Sequence, residues 1–206
     1  MSNILFVTSS ARRAGSYSNH VASALVEKLE AATAGAIVTV RDLTKEPLPH
    51  IDDEFVAATR GPGGPQTDVQ REIARRSDAL VDELMAADTV VIAAPMINFT
   101  IPTTLKSWID YVARAGRTFS YSESGPKGLV SGKRVFLILA RGGVYSDKAQ
   151  FDFQLPYLRH VLAFLGMTDV EVIDVEGTAF GPEAAERAVN AALARVEAVA
   201  LEQRAA

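Results

Sequence analysis

The chain has 206 residues, 48% apolar and 22% charged, the length and balance of one water-soluble domain with a sizeable core. Its 21 basic and 25 acidic side chains leave a formal net charge of −4, without the basic surplus that grips a nucleic-acid backbone. Cysteine is absent, which excludes disulfides, thiolate nucleophiles and cysteine-ligated metals, and no apolar run approaches the roughly 18 residues of a membrane span.

In chain order, the first predicted strand is Ile4–Val7, with no charged leader ahead of it, so the expected compartment is the cytoplasm. A helix with Val21, Leu25, Leu29 and Ala32 on its apolar face leads to a strand at Ile37–Val40. The breaker Gly61–Pro65 precedes a helix that opens on the capping-box pair Thr67 and Gln70 and carries Val69, Ile73, Leu80 and Leu84 on one face. Strands follow at Thr89–Ala94, Val135–Leu139 and Val170–Val175. The last helix begins at Gly181-Pro182-Glu183 and repeats Val189, Leu193, Val196 and Ala200.

This alternation predicts a parallel sheet with helices on both faces and one domain over residues 1–206. The first, third and fourth strands are continuously apolar, as strands buried on both faces should be, whereas Val170–Val175 carries interspersed charges and the second is mixed. Buried first, third and fourth strands with the others at the edges give the order 2-1-3-4-5. In such a sheet a ligand binds beyond the strand ends where the order reverses, so the loops after Val7, Ala94 and Leu139 should carry the chemistry.

The first loop, Thr8 to Asn19, offers hydroxyls including Ser10, Ser16 and Ser18, two arginines (Arg12 and Arg13) and a helix N-terminus. Those groups suit a phosphate, and they equally suit a plain helix cap with a polar loop. Neither a dinucleotide fingerprint nor a P-loop is present. The second loop, Pro95-Met96-Ile97-Asn98-Phe99, is apolar enough to cover a flat heteroaromatic ring, with Asn98 supplying a donor and an acceptor. The competing reading places Phe99 and Trp108 in the core, and it is the stronger one for Trp108. The third loop, Ala140-Arg141-Gly142-Gly143, brings paired glycines to a strand end, where they serve either a ligand edge or an ordinary turn. His20, His50 and His160 are scattered without metal-ligand spacing and read as structural.

Taken together, Ser10, Ser16-Tyr17-Ser18, Ala93 to Phe99, Pro102, Leu105-Lys106, Asp110, Ala113 to Gly116, Thr118-Phe119, Tyr121, Gly125 to Leu129, Arg141-Gly142-Gly143 and Glu176-Gly177 resemble the FMN-dependent NADH azoreductases and NAD(P)H:quinone oxidoreductases. The resemblance spans nearly the whole chain. It implies a flavodoxin-like three-layer sandwich that binds FMN, oxidises NADH or NADPH, and reduces quinones and aromatic azo compounds by a ping-pong mechanism. It also implies that Ser10, Ser16, Tyr17 and Ser18 hold the phosphate and ribityl region, Pro95, Met96, Ile97, Asn98 and Phe99 line the ring, and Ala140, Arg141, Gly142 and Gly143 meet its pyrimidine edge. Phe99, Tyr121, Tyr145, Phe164 and Arg60 are the implied substrate-lining residues. The cofactor would carry the chemistry, with no side chain as general acid or base. A homodimer with active sites at the subunit boundary is implied as well, and Trp108, Tyr111, Phe119 and Tyr121 supply aromatic surface of the type enriched at interfaces. The chain departs from the pattern at Ile97, where relatives commonly carry tyrosine, and at Ala140, where they carry serine or threonine. Two other functions fit a flavodoxin-like FMN protein: an electron carrier that docks on proteins, and an FMN-binding redox sensor without small-molecule turnover. Arg12, Arg13 and Arg141 speak against the carrier, which is usually acidic around the flavin.

Overall fold

A computed structural model describes residues 2–12, 15–123, 125–146 and 149–205 of the chain; Arg13, Ala14 and the side chain of Ala200 lie outside the described residues. The elements are β1 (Asn3–Thr8), α1 (Tyr17–Ala32), β2 (Ile37–Asp42), α2 (Asp53–Arg60), α3 (Asp68–Ala86), β3 (Thr89–Pro95), α4 (Thr103–Val112), β4 (Phe119–Ser122), β5 (Gly125–Gly128), β6 (Arg134–Ala140), α5 (Leu155–Leu165), β7 (Asp169–Val175) and α6 (Pro182–Ala205).

The main sheet runs β2-β1-β3-β6-β7, with every neighbouring pair parallel. Alternate residues of its central strands feed two separate cores. Leu5, Val7, Val90, Ile92, Val135 and Leu137 face α3, α4 and α5, while Ile4, Phe6, Val91, Phe136 and Ile138 face α1 and α6. That strict two-residue alternation is what a strand covered on both faces requires. β2 and β7 lie at the edges, and β2 leaves Ile37 and Val40 exposed.

The expected order 2-1-3-4-5 needs one correction. β4 and β5 form their own antiparallel hairpin, so the fourth and fifth places of the main sheet belong to β6 and β7. The two hairpin strands are only four residues each, and one reads Gly-Pro-Lys-Gly, which carries no apolar run to announce a strand. Close backbone contact docks this hairpin onto the end of α5. A Cβ on Gly128 would stand 2.2 Å from Gly166 N and 2.4 Å from Leu165 C, and Val130 N–H donates to Leu165 O at 2.9 Å.

Local signals set the helix starts. Ser16 caps α1 through a 3.3 Å bond from Asn19 N–H, and Thr67 and Gln70 close a reciprocal capping box on α3. α4 turns Leu105, Trp108, Ile109 and Val112 into the core. Trp108 and Tyr111 are each only 1% exposed, and Phe119 is buried, so three of the four aromatics expected at an interface are core residues. Tyr111 instead packs on Phe55, with ring centroids 4.6 Å apart. Only Tyr121 of that group, 74% exposed, is available to a partner. Among the described residues no helix is long and apolar enough to cross a membrane.

Candidate active site

The loops after β1, β3 and β6 converge at the carboxyl edge of the sheet, where the chain leaves the paired strands β1 and β3 for helices on opposite faces. They enclose a hollow of about 300 Å³. One end is lined by Ser10, Arg12, Ser16, Tyr17 and Ser18, the middle by Pro95, Met96, Ile97 and Ala140, and the far side by Gly142, Thr178 and Ala179.

The first end is built for an anion. Ser10, Ser16 and Ser18 are buried hydroxyls, with Ser16 and Ser18 Oγ atoms 3.3 Å apart. Tyr17 and Ser18 open α1, so their N–H groups have no acceptor within the helix and add the positive end of its dipole. Ser16 therefore serves both readings offered by the sequence, since it caps the helix and lines the hollow. Ser9 is spent elsewhere: its hydroxyl donates to Ala93 O at 2.9 Å and ties β1 to β3.

The middle is a strained turn. Ile97 N–H donates to Thr100 O at 2.9 Å, and Thr100 N–H returns a bond to Ile97 O at 3.1 Å. Between them Asn98 and Phe99 both take positive φ, 47° and 70°. Asparagine tolerates that region; a bulky aromatic rarely does. The turn lifts Asn98 and Phe99 onto its tip beside the hollow, outside its wall, and leaves Phe99 54% exposed. Phe99 O accepts Phe153 N–H at 3.1 Å, so the tip is tied to the segment before α5.

The third loop is held from behind. The Arg141 side chain is only 3% exposed and points away from the hollow it was expected to line. Its Nε donates to Gln154 Oε1 at 3.1 Å and its Nη1 to Glu176 Oε1 at 2.9 Å, with Asp174 Oδ1 at 3.0 Å. Nη2 lies 3.1 Å from Asp152 Oδ2 without hydrogen-bond alignment, so that contact is an ion pair alone. Gln154 extends the network by donating to Ala94 O at 3.1 Å at the end of β3. Burial pushes the Asp174 carboxyl above its ordinary range; Glu176 and Asp152 push the same way, while Arg141 opposes them. The carbonyls of Arg141, Gly142 and Gly143 accept from Thr178, Ala179 and Gly177 N–H groups at 2.9–3.2 Å. The Gly142 and Gly143 N–H groups have no acceptor among the described residues; Gly142 lines the hollow, and Gly143 follows it outside the wall. Tyr145 covers Gly143: a Cβ there would meet its ring at 3.3 Å.

The remaining expected residues lie apart from these. Arg60, Tyr121 and Phe164 line a second hollow of about 440 Å³ together with Thr59, Arg114 and Phe119, and it shares no residue with the first. Its wall is aromatic, with Phe119 centred 4.6 Å from Phe164 and 5.5 Å from Tyr121. Thr178 and Ala179 escaped the sequence reading because they follow an edge strand, away from the reversal point. Gly177 and Gly181, both at positive φ, mark their loop as built for a tight path.

A family model described as a flavodoxin-like fold matches residues 2–200. Over 206 residues the chain is 52% identical to a protein of Mesorhizobium japonicum named FMN-dependent NADH:quinone oxidoreductase, covering 99% of this chain and 98% of that one. It is 55% identical over 203 residues to FMN-dependent NADH:quinone oxidoreductase 1 of Rhizobium etli, covering 98% and 99%. Among solved structures, an azoreductase from Bacillus anthracis superposes with a TM-score of 0.89 at 33% identity, covering 97% of this chain and 99% of that one. An FMN-dependent NADH-azoreductase from the same organism, solved in complex with FMN, gives 0.86 at 26% identity, covering 97% and 100%. The chain belongs to the flavodoxin-like family, beside relatives that carry the name FMN-dependent NADH:quinone oxidoreductase.

Proposed function

We propose that this chain is a cytoplasmic FMN-dependent NAD(P)H oxidoreductase that reduces quinones and aromatic azo compounds, working as one flavodoxin-like domain over residues 1–206. The observation that carries this reading is the polarity of the hollow along its length. It is anion-binding at Ser16–Ser18, apolar at Met96, Ile97 and Ala140, and bordered at Gly142, with Gly143 next to it, by backbone N–H groups without an acceptor among the described residues. FMN has the same sequence of parts: a phosphate, a flat ring and a pyrimidine edge rich in acceptors. When bound, it supplies a ring that accepts hydride from the nicotinamide donor and passes it to the acceptor, the two substrates using the same space in turn.

The protein's own share is placement. Serine hydroxyls and the α1 N-terminus hold the phosphate, each charge-assisted bond contributing roughly 1.5–3 kcal/mol. Met96 and Ile97 exclude water from the ring. The free N–H groups of Gly142 and Gly143 point donors at the edge where negative charge accumulates on reduction. Arg141 contributes by fixing their path, since its side chain is committed to Gln154, Glu176, Asp174 and Asp152.

The same reading includes a homodimer. Ile97, Phe99, Phe151, Phe153 and Phe180 are all exposed, an amount of apolar surface that calls for a cover. The Arg60–Tyr121–Phe164 hollow has no residue in common with the cradle, which supports its acting across a boundary, over the flavin of a second copy.

The test is purification followed by a visible spectrum, identification of the released flavin, and steady-state NADH consumption with menadione and with methyl red. Turnover of either acceptor with one equivalent of FMN is expected. Tight FMN without turnover of either would favour the electron carrier and overturn the reductase.

A further inference from the structure

A larger hollow, about 600 Å³, lies between the first turns of α1 and α6. That volume falls within the roughly 300–1,000 Å³ of sites that enclose a small organic ligand. It shares Ser16 and Tyr17 with the flavin cradle, so the two hollows open on either side of the same stretch of chain. Its lining is mainly apolar, with the Tyr17 ring on α1 and Ala185 and Val189 on α6.

Ser16, His20 and Ser23 line it as well, and two further polar groups stand out. Asn19 lines the hollow, and its Oδ1 is buried and accepts no hydrogen bond among the described residues, an unfavourable state that a turn of the carboxamide toward a donor in the hollow would relieve. Glu186, exposed at the rim, has no ion-pair partner among the described residues. At the boundary between the hollows the Arg12 guanidinium stands 5.9 Å from the Tyr17 ring centroid, also without a carboxylate partner.

These groups match the adenosine half of a nicotinamide dinucleotide. A carboxamide offers the donor and acceptor that pair with adenine's amine and ring nitrogen. An aromatic ring and aliphatic side chains suit the faces of a purine. A free carboxylate accepts the two ribose hydroxyls and repels a phosphate placed on one of them. A guanidinium at the junction suits a pyrophosphate.

We propose that the α1–α6 hollow binds the adenosine half of the donor while its nicotinamide reaches the flavin held in the cradle, and that Glu186 makes the enzyme prefer NADH to NADPH. The proposal rests on the reductase reading above. It adds a specificity-determining role for the side chains of Asn19 and Glu186, neither of which lines the flavin cradle.

The test compares FMN-loaded wild type with Asn19→Leu and Glu186→Lys, measuring flavin reduction in stopped flow by NADH, by NADPH and by reduced nicotinamide mononucleotide, which lacks the adenosine. Each variant should weaken NADH about tenfold and leave the mononucleotide within about twofold. Glu186→Lys should also shift the NADPH-to-NADH ratio upward by about tenfold or more. Glu186 is exposed, so this variant keeps the test intact if Asn19→Leu fails to fold. AMP titrated calorimetrically into the FMN-loaded wild type should bind, and should bind more weakly to Asn19→Leu. The proposal falls if NADH is unaffected by both substitutions, if NADH and the mononucleotide lose equally, or if AMP binding ignores Asn19. Should no nucleotide reduce the wild-type flavin, the reductase reading fails, and the AMP titration then decides the hollow alone.

Discussion

Phe99 offers a direct test of the turn that shapes the middle of the site. Its φ of 70° is a left-handed conformation carried by a bulky side chain, and the residue is 54% exposed. Phe99→Ala and Phe99→Gly both delete that ring and lose the same half-covered surface, roughly 1 kcal/mol. They differ only in backbone. Holding the left-handed region costs alanine about 1–2 kcal/mol. Glycine escapes that strain and forfeits about 0.5–1 kcal/mol through its looser unfolded chain. Glycine should therefore be the more stable variant by roughly 0.5–1 kcal/mol, the reverse of the order inside a helix or strand. Equilibrium urea unfolding at fixed protein concentration reads this as a midpoint difference of about 0.3–0.5 M for a slope near 2 kcal/mol per M. Because both variants lack the ring, any change in flavin affinity cancels in the comparison. An alanine midpoint equal to or above that of glycine would refute the strained turn. Reduced turnover in the more stable glycine variant would show that the strain serves the ring's position over the site.

Other consequences are as specific. Gly128→Ala drives a Cβ into the backbone of Leu165 and Gly166, which cannot swing aside, and should destabilise by about 3 kcal/mol or more, seen in thermal melting and in early proteolysis at the hairpin. A melting point within about two degrees of wild type would contradict that packing. Ser16→Ala should lose about 1 kcal/mol of stability as well as roughly tenfold in FMN affinity, because Ser16 both caps α1 and lines the cradle. Ser18→Ala should weaken FMN, measured by flavin fluorescence quenching, with the cap intact; equal stability losses in the two variants would be inconsistent with separate roles. Asp174 is raised above its unfolded pKa, so the folded state binds its proton more tightly and stability falls as pH rises through the folded value. Asp174→Asn should therefore raise the urea midpoint at pH 7, with the gain fading below the ordinary aspartate pKa of about 3.9. A larger gain at acid than at neutral pH would reverse the assigned sign.

The main sheet was legible because burial on two faces imposes a signal on consecutive residues. Val90 to Ala94 and Val135 to Leu139 must be apolar on both sides, and their positions emerged within a residue or two of the observed strands. The β4–β5 hairpin was not, since it packs through Gly128 and Gly166, where the contact is backbone on backbone and leaves no pattern in side-chain polarity. The loops of the candidate site could be located from strand order and composition. Which way their side chains turn could not. Arg141 sits in the expected loop, but whether its guanidinium faces the hollow depends on Asp152, Gln154, Asp174 and Glu176, which come from two later segments of chain. Trp108 and Tyr111 illustrate the same limit: an aromatic residue suits an interface or a core, and only the orientation of α4 decides between them.

The two departures from the family pattern acquire a consequence from their backbone bonds. Ala140 O accepts Met96 N–H at 2.8 Å, and both backbone polar groups of Ile97 are taken by Thr100. Neither residue brings a hydroxyl, and neither has a free carbonyl to offer in its place. In the proposed complex the middle of the cradle therefore meets the ring through apolar contact, which is nearly indifferent to the ring's charge. Polar recognition is confined to the two ends, the α1 N-terminus with its serines and the N–H groups of Gly142 and Gly143. The phosphate end does not change on reduction, so in the proposed complex discrimination between oxidised and reduced flavin would rest on the glycine pair. Their geometry is set by Arg141, buried behind the loop in a network that reaches β3, β7 and the approach to α5. In the proposed complex a residue outside the hollow would thus bear on the redox chemistry inside it, through the position of two amides rather than through its own charge.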